Sequence, residues 1–417
     1  MHKIHKIGCL CSLFILLGGC GKITAPKINK SPAEQAAARI VVSRPFSSLE
    51  PVEGHDIPPL ADDLDSQSLS LAIERSLQYF NRLNSRDVYL LGDHRYTIRE
   101  MKETLAAFSA IISSGEPEGV KESQIRKNFS FFRSRGDNGT GRVIFTGYYE
   151  PILNGSWSKT KRYSYPLYRL PEETVLINLG KFSEKYKNEQ LVGRVQRREV
   201  VPHYKRADID GANSLAGRNL EIIWVDNIVD LFFLHIQGSG KIRLPNGSLV
   251  QVGYAQSNGH PYRSIGRLMI ENGQLAGTEQ SLQAIKKYLL EHPEETAQIL
   301  NYNERYVFFR LLDHGAVGSL NVPVTGGRTI AADPEVYPRG ALAFIRTRKP
   351  EIRQGKLTGW NPFSRFVLNQ DTGKAISGSG RIDLFCGSGE EAEAVAGRLK
   401  EAGELFFLIK KGDGKRF

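Results

Sequence analysis

Cysteine is scarce in this chain and unevenly placed. Of the four cysteines in 417 residues, Cys9, Cys11 and Cys20 lie at the N-terminus, and only Cys386 lies in the rest of the chain. One cysteine cannot form an intramolecular disulfide, and grouped cysteines that could hold zinc are absent from the sequence. We predict that Cys386 packs as a small apolar side chain, because no histidine lies near it in sequence to activate it as a nucleophile.

Metal-binding and nucleotide-binding patterns are also lacking. The nine histidines show no paired ligand spacing, and the sequence has no glycine-rich phosphate loop of the nucleotide-binding type. We therefore predict no metal and no cofactor. Any chemistry must then come from side-chain acids.

The apolar run near the N-terminus, Leu13–Leu17, is too short to span a membrane as a helix. It follows the basic residues Lys3 and Lys6 and precedes two glycines and Cys20, which is the order of a signal peptide. This stretch resembles a bacterial lipoprotein signal, which implies that residues 1–19 are removed and that Cys20 receives the lipid. An ordinary secretory signal, cut near Cys20, is the alternative.

The location and the charge of the chain limit its possible partners. Gly21 follows the cysteine, where signals for retention in the inner membrane have an aspartate, so the resemblance implies a lipid anchor in the outer membrane, on its periplasmic face. The formal net charge of +11 falls to 11 − 2 = +9 when Lys3 and Lys6 are removed. A basic chain attracts anionic lipid or cell-wall polymer, and we predict no nucleic-acid partner because the periplasm contains none.

Prolines and helical patterns organise the first part of the chain. Six prolines between residues 26 and 59 interrupt any helix, and we predict that residues 20–64 form a lipidated tether. An amphipathic helix is predicted over Asp65–Leu83, and a second from Thr97, where a capping box begins. Near the C-terminus we predict helices over Thr278–Leu290 and Glu390–Ala402 and a last strand over Leu405–Ile409.

From Gly141 onward the sequence favours strands. Phe145–Pro151, with the sequence FTGYYEP, is an extended run in which Tyr148 and Tyr149 would point to opposite faces. One of them could stack on a sugar, whereas packing in the core is the alternative for both. Residues 152–252 carry short strands separated by turns, and we predict a separate small β domain there.

Amides, hydroxyls and aromatic rings are mixed with glycine in two stretches. In Phe233–Gly240 a predicted strand gives way to Gln237, and Gly253–Tyr262 contains Asn258 and Tyr262. Such residues suit carbohydrate, because they match sugar hydroxyls and ring faces while glycine lets a ligand approach closely. Plain hairpin turns would have a similar composition.

Two aspartates, Asp371 and Asp383, lie twelve positions apart near the C-terminus. Each adjoins residues that favour strands, and the glycines and serines between them favour a tight connection, so the acids could meet across a sheet. A carboxyl between Ile382 and Leu384 would be partly desolvated, which raises its pKa and suits a general acid. A turn in which the aspartate bonds its own backbone is the alternative, and the third aspartate, Asp333, has the pattern of a turn cap.

The chain resembles the membrane-bound lytic murein transglycosylase A family. Three aspartates match the three-aspartate domain of that family, and Lys374 departs from its pattern, which has a second glycine at this position. The matching stretches occur in family order and are the N-terminal signal, FTGYYEP, IQGSG at Ile236–Gly240, GYAQSNGHPYRSIG at Gly253–Gly266, YVFFR at Tyr306–Arg310, ADPEVYPRG at Ala332–Gly340 and QDTGKAISGSGRIDLFCGSG at Gln370–Gly389.

The resemblance implies a mainly β fold with flanking helices. Residues 65–151 and 253–417 would form a discontinuous double-psi β-barrel catalytic domain. Residues 152–252 would form a second, inserted β-barrel-like domain, and a glycan groove would lie between the two.

The resemblance further implies an enzyme, a peptidoglycan lytic transglycosylase. It would cleave the β-1,4 bond between N-acetylmuramic acid and N-acetylglucosamine without water and leave 1,6-anhydro ends. Asp383 would act as general acid and then as base, and Asp371 as a supporting acid. The partners would be glycan strands and, through the anchor, the outer membrane, and the chain is expected to be a monomer. The predicted substrate-binding residues are Tyr148, Tyr149, Gln237, Asn258, Tyr262 and Asp333, the last of which would bond the turn beside the groove.

Two other classes of protein stay open. Asp371-Thr372-Gly373 has the motif of an aspartic peptidase, although such an enzyme needs two acids of this kind sharing a proton and the chain has a single motif. A non-catalytic wall-binding lipoprotein would share the anchor, the basic charge and the aromatic groove.

Overall fold

The computed structural model of the chain describes residues 48–137, 139–276, 281–313, 315–354, 356–373 and 376–412. The predicted signal peptide, Cys20 and residues 20–47 of the predicted tether lie outside these ranges, as does Lys374. Within them the chain forms 19 strands, eight α-helices and four shorter helical turns, which confirms the prediction of a mainly β fold with flanking helices.

The strands are short except near the C-terminus, where three exceed ten residues and the two longest form one hairpin. The strands are β1 (Leu49–Val52), β2 (Val88–Leu91), β3 (His94–Thr97), β4 (Phe129–Ser134), β5 (Val143–Glu150), β6 (Ile152–Ser156), β7 (Tyr165–Tyr168), β8 (Thr174–Asn178), β9 (Gln190–Gln196), β10 (Glu199–Pro202), β11 (Glu221–Val225), β12 (Ser239–Arg243), β13 (Leu249–Ser257), β14 (Val307–Leu312), β15 (Thr329–Ala331), β16 (Leu342–Arg353), β17 (Lys356–Asp371), β18 (Arg381–Ser388) and β19 (Lys400–Lys410). The helices are α1 (Ser66–Phe80), α2 (Ile98–Ile112), α3 (Glu118–Asn128), α4 (Ile228–Gln237), α5 (Ile265–Glu271), α6 (Leu282–Glu291), α7 (Pro293–Tyr302) and α8 (Glu390–Ala396).

Six strands close into a barrel. Their order is β19-β16-β17-β15-β18-β5, and β5 pairs with β19 again, so the ring has no free edge. The pairs β15–β17 and β18–β5 are parallel, and the others in the ring are antiparallel. β4 and then β1 extend the sheet along β19. Closure brings β5, from the middle of the chain, beside β18, which carries Asp383.

The barrel and the helices that cover it share one apolar core. Alternate residues of each strand face inward, and Phe145, Phe344 and Phe407 are fully buried in this core. From α2, Phe108 packs edge-on against Phe366 of β17, with ring centroids 4.7 Å apart. The core therefore includes side chains from both sides of the long region between β5 and β15.

Side-chain caps begin both of the predicted N-terminal helices, and the cap of the second helix was predicted from the sequence. Asp65 caps α1 by accepting a hydrogen bond from the backbone N–H of Ser68 at 2.6 Å. Thr97 and Glu100 form the predicted capping box at the start of α2, because each side chain accepts from the backbone N–H of the other residue. Both α1 and α2 bury one apolar face, as predicted.

The prediction of a helix over Glu390–Ala402 was wrong at its C-terminal end. α8 ends at Ala396, and the last strand, β19, begins at Lys400 rather than Leu405. Residues 400–403 pair with β5, so the ladder that closes the barrel overrides the local preference for a helix. The predicted helix over Thr278–Leu290 corresponds to α6, which begins at Leu282.

The prediction of a strand at Phe233–Ile236 was also wrong, because these residues lie within helix α4. Asn227 caps this helix, and its side-chain oxygen accepts from the backbone N–H groups of Val229 and Asp230 at 2.8 and 3.2 Å. Six of the ten residues of α4 are buried. A helix that is buried on most sides reads as a continuous apolar run, and periodicity does not separate it from a strand.

The middle of the chain forms two further sheets. A six-stranded sheet has the order β14-β13-β12-β6-β11-β7, and a bridge between Arg169 and Phe309 links its two ends. A three-stranded antiparallel sheet has the order β10-β9-β8. β13 runs across residue 252, where a domain boundary was placed, and the division at residues 151/152 and 252/253 stays a prediction.

In the sequence, helix α4 lies between β11 and β12, and helices α5–α7 lie between β13 and β14 of the six-stranded sheet. The four helices share an apolar cluster of their own. In the part of the chain that the structure describes, every helix is too short or too polar to cross a membrane.

Candidate active site

Strand β15 brings Asp371 and Asp383 together. Ala331 of β15 is the register partner of Asp371 on its parallel neighbour β17 and of Asp383 on its antiparallel neighbour β18. Residues that are directly paired across a sheet point to the same face, and strands lie about 4.8 Å apart, so the two acids lie on one face, roughly 10 Å apart at the backbone. Asp333 follows β15 by two residues.

Asp383 is a mostly buried acid, and its side chain is 17% exposed. It accepts a hydrogen bond from the hydroxyl of Thr146, its register partner on β5. Nη2 of Arg381 lies 3.4 Å from the same carboxylate oxygen. The pKa of Asp383 is raised to about 6, mainly by burial; Arg381 lowers it and the charge of Asp371 raises it, and this value includes both effects. A carboxyl with this pKa keeps its proton in part near neutral pH, as a general acid requires.

Asp371 has a different set of partners. It accepts from the hydroxyl of Tyr148 at 2.9 Å, from the backbone N–H of Ser319 at 2.9 Å and from that of Thr372 at 2.8 Å. Burial raises the pKa of Asp371 and outweighs these three donors, which lower it. Three donors stabilise the ionised form of Asp371. The two acids therefore differ in environment, although they adjoin the same strand.

Tyr148 and Tyr149 point to opposite faces of β5. The half-buried ring of Tyr148 packs on Phe385, with centroids 5.1 Å apart, and its hydroxyl reaches Asp371. Tyr149 is 1% exposed and packs with Ala392 and other small residues around α8. Of the two predicted substrate-binding tyrosines, Tyr148 thus lies beside the aspartates and Tyr149 lies in the core.

Gln237 lies at the C-terminal end of α4. Its side-chain oxygen accepts from the backbone N–H of Tyr149 at 3.2 Å, which ties α4 to β5. Gly238 ends the helix with a φ of 81°, a left-handed conformation that favours glycine.

Asn258 and Tyr262 lie after β13 and differ in exposure. Asn258 is 1% exposed, and its amide group donates to the carbonyls of Tyr204 and Glu304 while its oxygen accepts from the N–H of Tyr306 at 2.9 Å. Tyr262 is 48% exposed. Desolvation raises the pKa of Tyr262, and the charge of Arg381 opposes this rise. The exposed ring of Tyr262 therefore lies within electrostatic reach of the residue that contacts Asp383.

Asp333 holds a turn. It is 8% exposed, and its carboxylate oxygens accept from the backbone N–H of Glu335 at 2.9 Å and of Gly378 at 2.7 Å. The second bond fixes the segment that leads into β18 and Asp383.

Thr146, Arg381 and Ser319 are part of the site, and the sequence reasoning missed all three. Arg381 lies two residues before Asp383 on one strand, so the period of two could have placed both side chains on one face. Thr146 lies inside the FTGYYEP stretch, but only the pairing of β5 with β18 brings it to Asp383. Ser319 is 52 positions from Asp371 and lies outside any strand, so no local pattern marks it.

One group that could hold a metal occurs in the described ranges. His292, Glu294 and Glu295 lie at the start of α7, with ligand atoms within 4.8 Å of one another. This group is on a different element from the aspartates. Asp383 is a single carboxyl that can give and take a proton. The hydroxyl of Thr146 and the guanidinium of Arg381 hold it in place.

Comparisons with known proteins agree with this geometry. Residues 144–310 match the model of the MltA specific insert domain, and residues 328–409 match that of the 3D domain. The chain is therefore a 3D-domain protein with an MltA-type insert. It belongs to the membrane-bound lytic murein transglycosylase A family, as the sequence motifs predicted.

Relatives match over most of their length. The crystal structure of membrane-bound lytic murein transglycosylase from Agrobacterium tumefaciens is 30% identical with a TM-score of 0.71, and the match covers 87% of this chain and 98% of that one. Membrane-bound lytic murein transglycosylase A of Escherichia coli (strain K12) is 26% identical over 369 residues, which cover 88% of this chain and 87% of the relative.

A further solved structure supports the fold. The crystal structure of E. coli MltA with bound chitohexaose has a TM-score of 0.68 at 23% identity, with 90% of this chain and 97% of that chain covered. Together with the closed six-stranded ring, these structures confirm the predicted double-psi β-barrel with a second β-barrel-like region. The shared family name indicates that the chain is membrane-associated.

Proposed function

We propose that Asp383 is the one catalytic carboxyl of a lytic transglycosylase that cleaves the β-1,4 bond between N-acetylmuramic acid and N-acetylglucosamine. As a member of its family, the chain is an enzyme that acts on peptidoglycan. The observation that carries the proposal is the environment of Asp383, which is mostly buried beside Thr146 and Arg381 and has a pKa of about 6.

The reaction proceeds by two proton transfers through the same group. Neutral Asp383 gives its proton to the glycosidic oxygen, and the bond from that oxygen to C1 of the muramoyl residue breaks. The C6 hydroxyl of the same residue attacks C1, and its proton returns to Asp383. The products are an N-acetylglucosamine end and a 1,6-anhydro-N-acetylmuramic acid end, and no water is consumed. Glycosidases that use water or a covalent intermediate employ two carboxyls, whereas here the substrate supplies the nucleophile.

Asp371 supports this cycle as a neighbouring charge. Three donors offset part of the rise that burial causes in the pKa of Asp371, and the ionised form of Asp371 holds the proton on Asp383 until the substrate takes it. Strand β5 contacts both acids: Tyr148 donates a hydrogen bond to Asp371, and Thr146 on the same strand donates one to Asp383.

We further propose that the remaining predicted site residues border a glycan groove between a barrel domain, residues 65–151 and 253–417, and an inserted domain, residues 152–252. Tyr262 is exposed and suits stacking on a sugar ring. Asp333 and Asn258 would shape the groove without touching the glycan, because they fix the backbone at Gly378 and at Tyr306. Tyr149 and Gln237 would act in the same way, since they tie β5 to α4 and α8. E. coli MltA, which shares the fold, has been crystallised with chitohexaose.

Asp383→Asn tests the assignment of the acid. The lipid-free variant should bind sacculi and release no 1,6-anhydro muropeptides, as measured by mass spectrometry of the digest. Asp56→Asn is the matched control, because Asp56 is 53% exposed and the change is the same. Full release of anhydro products by Asp383→Asn would remove Asp383 from its role. Cut peptides would instead indicate a peptidase, and an unchanged wall with the wild-type chain would indicate a binding protein.

We also propose that the chain is a monomer anchored through lipid on Cys20 to the periplasmic face of the outer membrane. The motif before Cys20 supports this location, and membrane association agrees with the family. Cells labelled with radioactive palmitate should mark the wild-type chain and not the Cys20→Ala variant. Label in both chains, or fractionation of the wild type with the inner membrane, would contradict the proposal.

A further inference from the structure

The three-stranded sheet β10-β9-β8 has an apolar face on which the side chains of β9 and β10 are exposed and those of β8 are half-buried. Register pairs place side chains of the three strands on common faces, because Ile177 pairs with Leu191 and Val195 pairs with Val200. With the period of two along each strand, one face carries only aliphatic side chains around Gly193. We call it the outer face. Besides Pro202, which pairs with Gly193, it comprises the five aliphatic residues Val175, Ile177, Leu191, Val195 and Val200.

The opposite, inner face is the side that contacts the body of the protein. Thr174 bonds to Nε2 of His203 at 3.2 Å, and the guanidinium of Arg194 lies 4.2 Å from the ring centroid of Tyr204. Val192 lies against Gly259, where an added methyl group would come within 2.9 Å of it. These contacts attach the inner face to the body and turn the outer face away from it, although Leu176 on the inner face is also 55% exposed.

The outer face is exposed to an extent that is unusual for aliphatic strands. Leu191 is 55% exposed, Val200 50% and Val195 43%. Across the part of the chain that the structure describes, none of the five outer-face residues joins an apolar core cluster. Contiguous exposed apolar surface of this kind marks an interaction site.

Basic residues lie at both ends of the outer face. The connection from β8 to β9 carries Lys181, Lys185 and Lys187, together with Phe182, whose side chain is 78% exposed. The tight turn from β9 to β10 carries Arg197 and Arg198 at the other end of the strands. Residues 174–202 contain six basic and three acidic residues, so their net charge is 6 − 3 = +3.

We propose that the outer face binds the surface of an anionic lipid bilayer. Aliphatic side chains without hydrogen-bonding groups suit the boundary between acyl chains and headgroups and do not match sugar hydroxyls. Positive charge at both ends of a flat apolar face is complementary to a plane of phosphate headgroups, whereas a protein partner would need matched charges at two separate points. This contact is independent of the lipid on Cys20 and holds the sheet, and with it the segment around Gly259, against the membrane.

Vesicle binding tests the contact directly. The chain from residue 20 onward, with Cys20→Ala so that it has no lipid anchor, should sediment with vesicles that contain phosphatidylglycerol and much less with vesicles of phosphatidylcholine. The triple variant Leu191→Ser, Val195→Ser, Val200→Ser should bind at least about tenfold more weakly. Arg197→Gln with Arg198→Gln should weaken binding to the anionic vesicles by about fivefold for each charge removed.

A matched triple variant controls for the loss of any exposed apolar side chain. Leu249→Ser, Leu290→Ser and Leu311→Ser alter residues that are 52%, 58% and 49% exposed on other elements, and this variant should bind like the parent. Release of anhydro products by the outer-face variant should match that of the parent chain, which shows that it folds.

A second measurement locates the lipid. Tryptophan placed by Leu191→Trp should be quenched by brominated lipid, and tryptophan placed by Leu249→Trp should not. Equal vesicle binding by the parent and the outer-face variant would overturn the proposal. So would a parent chain that ignores vesicles and forms a dimer that the outer-face variant loses, because the face would then bind a second copy.

Discussion

Replacing Asp383 with asparagine should stabilise the folded protein, and the gain should depend on pH. Burial raises the pKa of Asp383 from 3.8 to about 6. Between these two values the unfolded chain has released the proton while the folded chain still holds it. The wild type therefore loses stability as the pH rises through this window, and asparagine, which does not titrate, loses none.

The size of the effect follows from the pKa. The difference is 6 − 3.8 = 2.2 units, and each unit corresponds to about 1.4 kcal/mol, so the ionised carboxylate destabilises the folded state by roughly 3 kcal/mol above the window. The attraction of Arg381 and the repulsion of Asp371 are already contained in this pKa. Since Asp383 is 17% exposed, solvent screens only a small part of the effect.

Urea unfolding at about pH 4 and about pH 8 measures the difference. The free energy of unfolding of Asp383→Asn minus that of wild type should be about 2–3 kcal/mol larger at the higher pH than at the lower, because at pH 4 the unfolded carboxyl is already partly ionised. Comparing the two pH values cancels any constant effect of the amide on packing. Asp56→Asn, at a 53% exposed position, should show the same difference from wild type at both pH values. An equal difference for Asp383→Asn at both would refute the reasoning that this carboxyl is desolvated.

Three further substitutions separate the roles of neighbouring residues. Arg381→Gln removes the cation that lowers the pKa of Asp383, so the loss of kcat/KM with rising pH should move to higher pH. The shift should be less than about one pH unit, because Arg381 is 40% exposed. Arg381→Lys should restore most of the pH profile of the wild type. Asp333→Ala leaves the N–H of Gly378 without its acceptor and should lower the free energy of unfolding by about 1–3 kcal/mol, with a smaller effect from Asp56→Ala in the same urea titration. Asn258→Ala should lower it by about 2–5 kcal/mol, and an intact stability with a raised KM would instead indicate direct contact with glycan.

The sequence predicted the parts of the fold that local signals encode. The capping box at Thr97 was predicted correctly because side chains and backbone N–H groups only three residues apart determine it. The run at Phe233–Ile236 was misread because α4 is buried on most sides and has no polar face to set its period. Residues 400–403 were misread because their strand exists only through pairing with β5, more than 250 residues away.

The candidate site shows the same division. Asp383 was marked by its apolar neighbours, which are adjacent in sequence, and burial does raise its pKa. Its hydroxyl partner, Thr146, is 237 positions away and is brought to it by the parallel register of β5 and β18. A single sequence contains no measure of that register. The motifs identified the family, but only the pairing of β5 with β18 in the closed barrel shows that Thr146 contacts Asp383.

The position of Asp383 is tied to that of the middle sheet through one buried acid, Glu150. Glu150 is 2% exposed and lies four residues after Thr146 on β5, and its carboxylate accepts from Ser388, on the strand of Asp383, at 2.6 Å. Lys241 of β12, in the six-stranded sheet, lies 3.2 Å from the same carboxylate oxygen. A buried charge that loses its partner destabilises a protein by several kcal/mol. A shift of one sheet relative to the other that separated Glu150 from Lys241 would therefore destabilise the protein by this amount. The strands β5 and β18 that position Asp383 are therefore also the strands that contact β12 of the six-stranded sheet through Glu150, and a change in one position is transmitted to the other.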